Sequence, residues 1–185
     1  LHKKNLADRL RVLGPDHPDA LTSRNNLAAA YRSTGRFDQA IPLFERTLAD
    51  RERILGDDHP RTLTSRGNLA AAYWSADRLD QAVPLFEQNL AEALRILGLD
   101  HPNTLTFRNN LAHAYRSADR LDEAIPLFEQ NLAEALRILG PDHPHTKTFR
   151  KNLAATYRAV GRDEEAAALL DPPPDPDDTD TEAPV

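Results

Sequence analysis

Four copies of a unit beginning Gly-x-Asp-His-Pro follow one another at a fixed spacing of 42 residues, headed by Gly14, Gly56, Gly98 and Gly140. Laid over each other, Gly56–Leu97 and Gly98–Leu139 differ at only eight positions. A strict period of this length predicts a solenoid, in which each unit buries its apolar face only against its neighbours. Such a chain offers an extended surface in place of a single cleft. The units span residues 14–55, 56–97, 98–139 and a shortened 140–170. Residues 1–13 align with residues 43–55, so they read as the second helix of a preceding, truncated unit. The chain has no methionine, even at position 1, which makes it read as a piece of a longer protein.

The chemistry open to this chain is narrow. It lacks cysteine, so disulfides and thiolate catalysis are excluded. The formal charge of −6 is matched by Asp171, Asp175, Asp177, Asp178, Asp180 and Glu182 in the Pro-rich stretch 171–185, a tail expected to be disordered. The body is then neutral, which argues against nucleic-acid binding. No apolar run approaches the ~20 residues of a membrane span, and a cytoplasmic location is expected. No catalytic triad, phosphate loop or paired-carboxylate motif is recognisable, so the reading is of a protein that is not an enzyme and uses no cofactor. The recurrent His17, His59, His101 and His143 lie one per unit, too far apart to share a metal ion.

Each unit carries two helical patterns. Helix A runs from Pro18 to Ser33, with Pro18 in its first turn and Asp16 placed to cap it. It stops at Gly35, where the next units carry Asp77 and Asp119, both tolerant of left-handed backbone. Helix B runs from Phe37 to Leu55 with apolar residues at Phe37, Ala40, Ile41, Phe44, Leu48 and Leu55. Pro42, Pro84 and Pro126 recur inside it and are expected to bend it slightly. So short a break between helices of this length requires antiparallel packing.

The order Leu27-Ala28-x-x-Tyr31 followed by Ala40-x-x-x-Phe44 recurs at Leu69, Tyr73, Ala82 and Phe86, and again at Leu111, Tyr115, Ala124 and Phe128. The fourth copy keeps Leu153, Tyr157 and Ala166, with Leu170 in the phenylalanine place. This resembles the tetratricopeptide pattern. With the Gly-x-Asp-His-Pro opening it is similar to the long repeats of kinesin light chains and their bacterial relatives. The resemblance implies an all-α, right-handed superhelical solenoid of antiparallel helix pairs whose concave face is lined by helix A. Arg24, Arg66, Arg108 and Arg150 depart from the family pattern; each is expected to pack its stem and reach a carboxylate on helix B.

The residues expected to face inward are Thr22, Asn25, Asn26, Ala29 and Arg32; Thr64, Gly67, Asn68, Ala71 and Trp74; Thr106, Asn109, Asn110, His113 and Arg116; and Thr148, Lys151, Asn152, Ala155 and Arg158. Asn26, Asn68, Asn110 and Asn152 recur in every unit, and an amide can pair with both the N–H and C=O of an extended peptide. Ladders of this kind occur in the families the chain resembles. The competing reading is that each asparagine bonds the neighbouring unit and holds no ligand. Arg32, Trp74, Arg116 and Arg158 occupy the position that varies, where specificity would reside. The expected function is a scaffold for a peptide or protein, favouring an acidic or C-terminal segment, as the C-terminal sensor or interaction part of a larger bacterial protein. The alternative is head-to-tail self-assembly through an N-terminal helix that exposes Leu1, Leu6, Leu10 and Leu13.

Overall fold

Residues 2–170 are described in a computed structural model. The expectations for Leu1 and for residues 171–185 lie outside the described residues. Among the described residues the chain forms nine α-helices and no strand: α1 (His2–Leu13), α2 (Pro18–Ser33), α3 (Phe37–Leu55), α4 (Pro60–Ser75), α5 (Leu79–Leu97), α6 (Pro102–Ser117), α7 (Leu121–Leu139), α8 (Pro144–Ala159) and α9 (Asp163–Leu170). Each helix packs chiefly on its neighbours in sequence. The closest approaches between like helices are α2 with α4 and α4 with α6, all helices of the A type. In a curved stack the inner layer is the crowded one, so α2, α4, α6 and α8 form the concave side.

The breaks between helices follow from local chemistry. Gly35 (φ 71°), Asp77 (φ 58°) and Asp119 (φ 58°) end the A helices in left-handed backbone, as the sequence predicts. The N-cap, however, is the histidine and not the aspartate. Extended backbone at His17 lets its Nδ1 accept from the Asp19 N–H at 3.2 Å, and His59, His101 and His143 do the same for Arg61, Asn103 and His145. Asp16 is occupied elsewhere, accepting from Arg53 of α3 at 2.5 Å. Asp58 and Asp100 likewise hold Arg95 and Arg137. The B helices continue through Pro42, Pro84 and Pro126.

The core is built from the motif residues. Leu27, Tyr31, Ala40 and Phe44 are buried, with Phe86 and Phe128 repeating Phe44, and Ala28 and Ala40 let the two helices approach closely. Tyrosine adds a bond between repeats: Tyr73 Oη donates to Glu45 at 2.5 Å, Tyr115 to Glu87 at 2.6 Å and Tyr157 to Glu129 at 2.7 Å. Arg78, Arg120 and Arg162 lie over the three rings. Burial and the facing carboxylate push these phenols up to about 12.

The buried arginines do not behave alike. Arg24 meets Asp50 at 2.5 Å and Arg66 meets Glu52 at 3.1 Å, as expected. Arg108 is equally buried but forms no ion pair among the described residues, and its Nη1 has no partner. Its nearby carboxylate, Glu134, is held by Arg137 at 2.5 Å, and Leu94 stands where the preceding repeat has Glu52. Burial accordingly lowers the Arg108 pKa. Arg150 forms no ion pair among the described residues.

Two kinds of joint divide the stack. Between the first and second full repeats, Arg51 is buried and donates to Ser65 Oγ at 2.7 Å and to the Arg61 carbonyl at 3.0 Å. One period earlier Arg9 reaches the Asp19 carbonyl at 3.1 Å, while Ser23 donates to Asn5 at 3.0 Å. In the next two joints the same places hold Ala93 with Phe107 and Ala135 with Phe149, all buried in the core. The first two joints are therefore polar and the last two aromatic.

Candidate functional site

Charge separates the two layers of the solenoid. Asp19 is the one carboxylate on α2, α4, α6 and α8, against ten lysines and arginines. Several arginines near the loops and on the B helices are matched to acids, Arg53 to Asp16, Arg95 to Glu92, Arg137 to Glu134 and Arg162 to Glu165, and on the A helices Arg24, Arg66 and Lys147 are paired too. Arg32, Lys151 and Arg158 on the inner layer form no ion pair among the described residues. The inner face thus carries uncompensated positive charge although the body as a whole is neutral.

The inward-facing set is brought together in part as a hollow of about 440 Å³ over α4, lined by residues including Arg32, Gly67, Asn68, Trp74, Phe107 and Asn110. Phe107, which the sequence reading did not place here, reaches the hollow from α6, 3.5 Å from where a Cβ on Gly67 would stand. Thr22, Thr64, Thr106 and Thr148 spend their hydroxyls on their own helices, donating to the carbonyls of Pro18, Pro60, Pro102 and Pro144. Ala29, Ala71 and Ala155 bring no polar group.

The asparagines fall into two classes. Asn68 Nδ2 bonds Asn25 Oδ1 at 3.1 Å, and Asn152 Nδ2 bonds Asn109 Oδ1 at 3.1 Å, each pair bridging adjacent repeats. Asn26 and Asn110 have no side-chain partner among the described residues. Half of the four recurrent asparagines are therefore engaged between repeats, side chain to side chain. The sequence could not show this, because Asn25 and Asn109 each act only through a residue 43 positions away.

Four of the inward-facing residues form one network. Trp74 stacks on His113 with ring centroids 6.0 Å apart and donates its Nε1 proton to Ser117 Oγ at 2.9 Å. His113 lies edge-on to Phe128 at 5.1 Å. Arg116 Nη2 lies 3.1 Å from His113 Nδ1, and the Asn152 amide lies 3.0 Å from His113 Nε2. A guanidinium only donates, so Nδ1 accepts and Nε2 carries the ring proton. The Asn152 and Asn109 amides then turn together, so that Asn152 Oδ1 accepts from that proton and from Asn109 Nδ2 and the pair between repeats is kept. Arg158, on the last inner helix, stands outside the network and is exposed.

Burial, and next the Arg116 charge, lower the His113 pKa to about 4. The unfolded chain takes up this proton near pH 6.5 and the folded one does not, so the native state is favoured fully above pH 6.5 and progressively less as pH falls toward 4. Allowing for solvent screening of a half-buried ring, the loss is about 1–2 kcal/mol. His113→Ala, which installs the residue of the preceding repeat, is expected to flatten that part of a urea-denaturation profile against pH.

These features can be set beside known proteins. The sequence pattern of the tetratricopeptide repeat matches residues 1–53, 22–91, 76–130 and 104–171. The chain belongs to the tetratricopeptide repeat family. A crystal structure of a Podosopora anserina kinesin light chain with nearly identical TPR-like repeats is 33% identical, covering 91% of this chain and 80% of that one, with a TM-score of 0.79. BtubC (BKLC) from P. vanneervenii is 24% identical over 91% of this chain and 67% of its own, with a TM-score of 0.77. The tetratricopeptide-sensor STAND protein PH0952 from Pyrococcus horikoshii is 16% identical over 91% of this chain and 25% of its own, with a TM-score of 0.68. The last two share the fold. No curated protein matches the sequence at a significant level. The fold is the right-handed solenoid of antiparallel helix pairs that the repeats predict, and its general role is that of a protein-interaction scaffold. No helix of the described residues is long and apolar enough to cross a membrane.

Proposed function

We propose that the inner face of this tetratricopeptide array holds an extended acidic segment of a partner protein. The observation that carries the reading is the charge of the A helices, which hold ten lysines and arginines against the one carboxylate of Asp19 and leave Arg32, Lys151 and Arg158 without an ion pair among the described residues. Arg32, Lys151 and Arg158 attract carboxylates, while Asn26 and Asn110 offer free amides to the backbone. Asn25, Asn68, Asn109 and Asn152 hold the repeats together and supply their remaining amide valences to the groove. Trp74, His113 and Arg116 shape one wall as a unit, so changing any one of them moves the other two.

An array of short acidic peptides, screened by fluorescence anisotropy, tests this. The tightest binder is expected to lose affinity as salt rises, and Asn26→Ala with Asn110→Ala is expected to weaken it roughly tenfold while leaving the melting temperature unchanged. Asn68→Ala is expected to lower stability as well, because it breaks a bond between repeats. Binding that ignores both salt and the double substitution would remove this reading.

A second reading rests on one feature of the N-terminal end. Leu6, Leu10, Leu27, Tyr31 and Leu43 line an apolar hollow of about 470 Å³ between α1 and α3, and Val12 and Leu13 are exposed. Leu6 is buried against its neighbours, so α1 is docked and only part of its face is open. Association of copies through this face would appear in the same samples as a light-scattering mass that rises with concentration.

A further inference from the structure

Two of the three like-placed joints on the inner face are closed by a pair of carboxamides: Asn25 with Asn68, and Asn109 with Asn152. The middle joint has the second member, Asn110, but Gly67 stands where the first member belongs. The hollow of about 440 Å³ opens at this place, with Gly67, Asn68 and Asn110 in its lining and Trp74 and Phe107 as its apolar walls. A further amide lies behind the gap. Asn89 is fully buried, neither of its amide atoms has a partner, and its Nδ2 is 3.2 Å from where a Cβ on residue 67 would be.

We infer that the hollow at Gly67 is a side-chain pocket for glutamine, whose carboxamide takes the place of the missing asparagine opposite Asn110. This rests on the inner face being a peptide groove. The chemistry is that of the neighbouring joints: a primary amide gives Asn110 both an acceptor for its N–H and a donor for its oxygen, while a carboxylate pairs with Arg32 in the same lining and, offering only acceptors, leaves the Asn110 oxygen without a donor. An apolar side chain fills the space but leaves the Asn110 amide unpaired. Glutamine fits better than asparagine because a peptide backbone runs outside the helix layer, farther from Asn110 than a residue on α4 would be. Its methylenes then lie between Trp74 and Phe107.

The molecule contains its own control. The next joint has Asn109, Asn131, Phe149 and Asn152 where this one has Gly67, Asn89, Phe107 and Asn110, so Gly67→Asn copies an arrangement the fold already accommodates. Gly67 is helical, and no special backbone is lost on substitution.

Three peptides of sequence Ac-Asp-Ser-X-Ser-Asp-NH2, with X as Gln, Glu or Leu, would be titrated into isotope-labelled protein while side-chain amide resonances are followed by NMR. The glutamine peptide is expected to shift the Asn110 amide and to bind about tenfold more tightly than the leucine peptide, while the glutamate peptide draws on Arg32 and loses that gain as salt rises. Gly67→Asn and, independently, Asn110→Ala are expected to abolish that preference while weaker binding of all three peptides persists. Equal binding of the glutamine and leucine peptides, or a glutamine preference over leucine that survives Gly67→Asn, would overturn the pocket and leave the groove standing. If no peptide shifts any inner-face resonance, the groove and the pocket fall together.

Discussion

Ser65→Phe should destabilise the protein by about 2.5–6 kcal/mol, and adding Arg51→Ala should recover most of that loss. Ser65 accepts a bond from the buried Arg51 guanidinium, so phenylalanine there removes an acceptor from a charged donor and forces a ring into occupied space. Loss of a hydrogen bond to a charged group costs about 1.5–3 kcal/mol and overpacking about 1–3 kcal/mol. The double variant reproduces the pair already present as Ala93 with Phe107 and as Ala135 with Phe149. Four urea-denaturation curves give the coupling energy. Simple additivity of the two substitutions would show that the polar and aromatic joints are not alternative solutions to one packing problem. Between nearly identical repeats, such pairs also penalise wrong stacking orders, since a guanidinium facing Phe107 would be buried without its acceptor.

Asn89→Thr with Asn131→Thr should raise stability by about 2–5 kcal/mol. Both asparagines are fully buried, and none of their four side-chain polar atoms has a partner. A buried unsatisfied polar group costs about 1–3 kcal/mol. The first repeat shows the remedy at the same position: Thr47 is also fully buried and donates its hydroxyl to the Leu43 carbonyl at 2.7 Å. Threonine nearly matches asparagine in volume, so the exchange leaves no large cavity, and Leu85 and Leu127 supply the equivalent carbonyls. A thermal melt of the double variant reads the gain. A fall in melting temperature would mean that these amides already have partners in solution, with ordered water the natural one.

What the sequence by itself determined is everything set within one unit. Proline at a helix start, a left-handed residue at its end and a 3.6-residue apolar stripe act over a few residues, so Pro18–Ser33 and Phe37–Leu55 were legible to the residue. The 42-residue period carried the architecture, because identical units can bury their faces only by stacking. Composition along the A helices likewise marked which face is polar and positively charged.

Only the tertiary structure decided which of those polar groups are spent. Asn25 meets Asn68, Trp74 meets Ser117 and Tyr73 meets Glu45 across 43, 43 and 28 residues. Such meetings depend on the register of one helix pair against the next, which no local preference encodes. Histidine took the N-cap because aspartate was drawn to an arginine on the other helix of its unit, a competition settled by packing. For the same reason a ladder of four equal asparagines resolves into two that bridge repeats and two free amides, and the one glycine in the series becomes the place where the inner face is open.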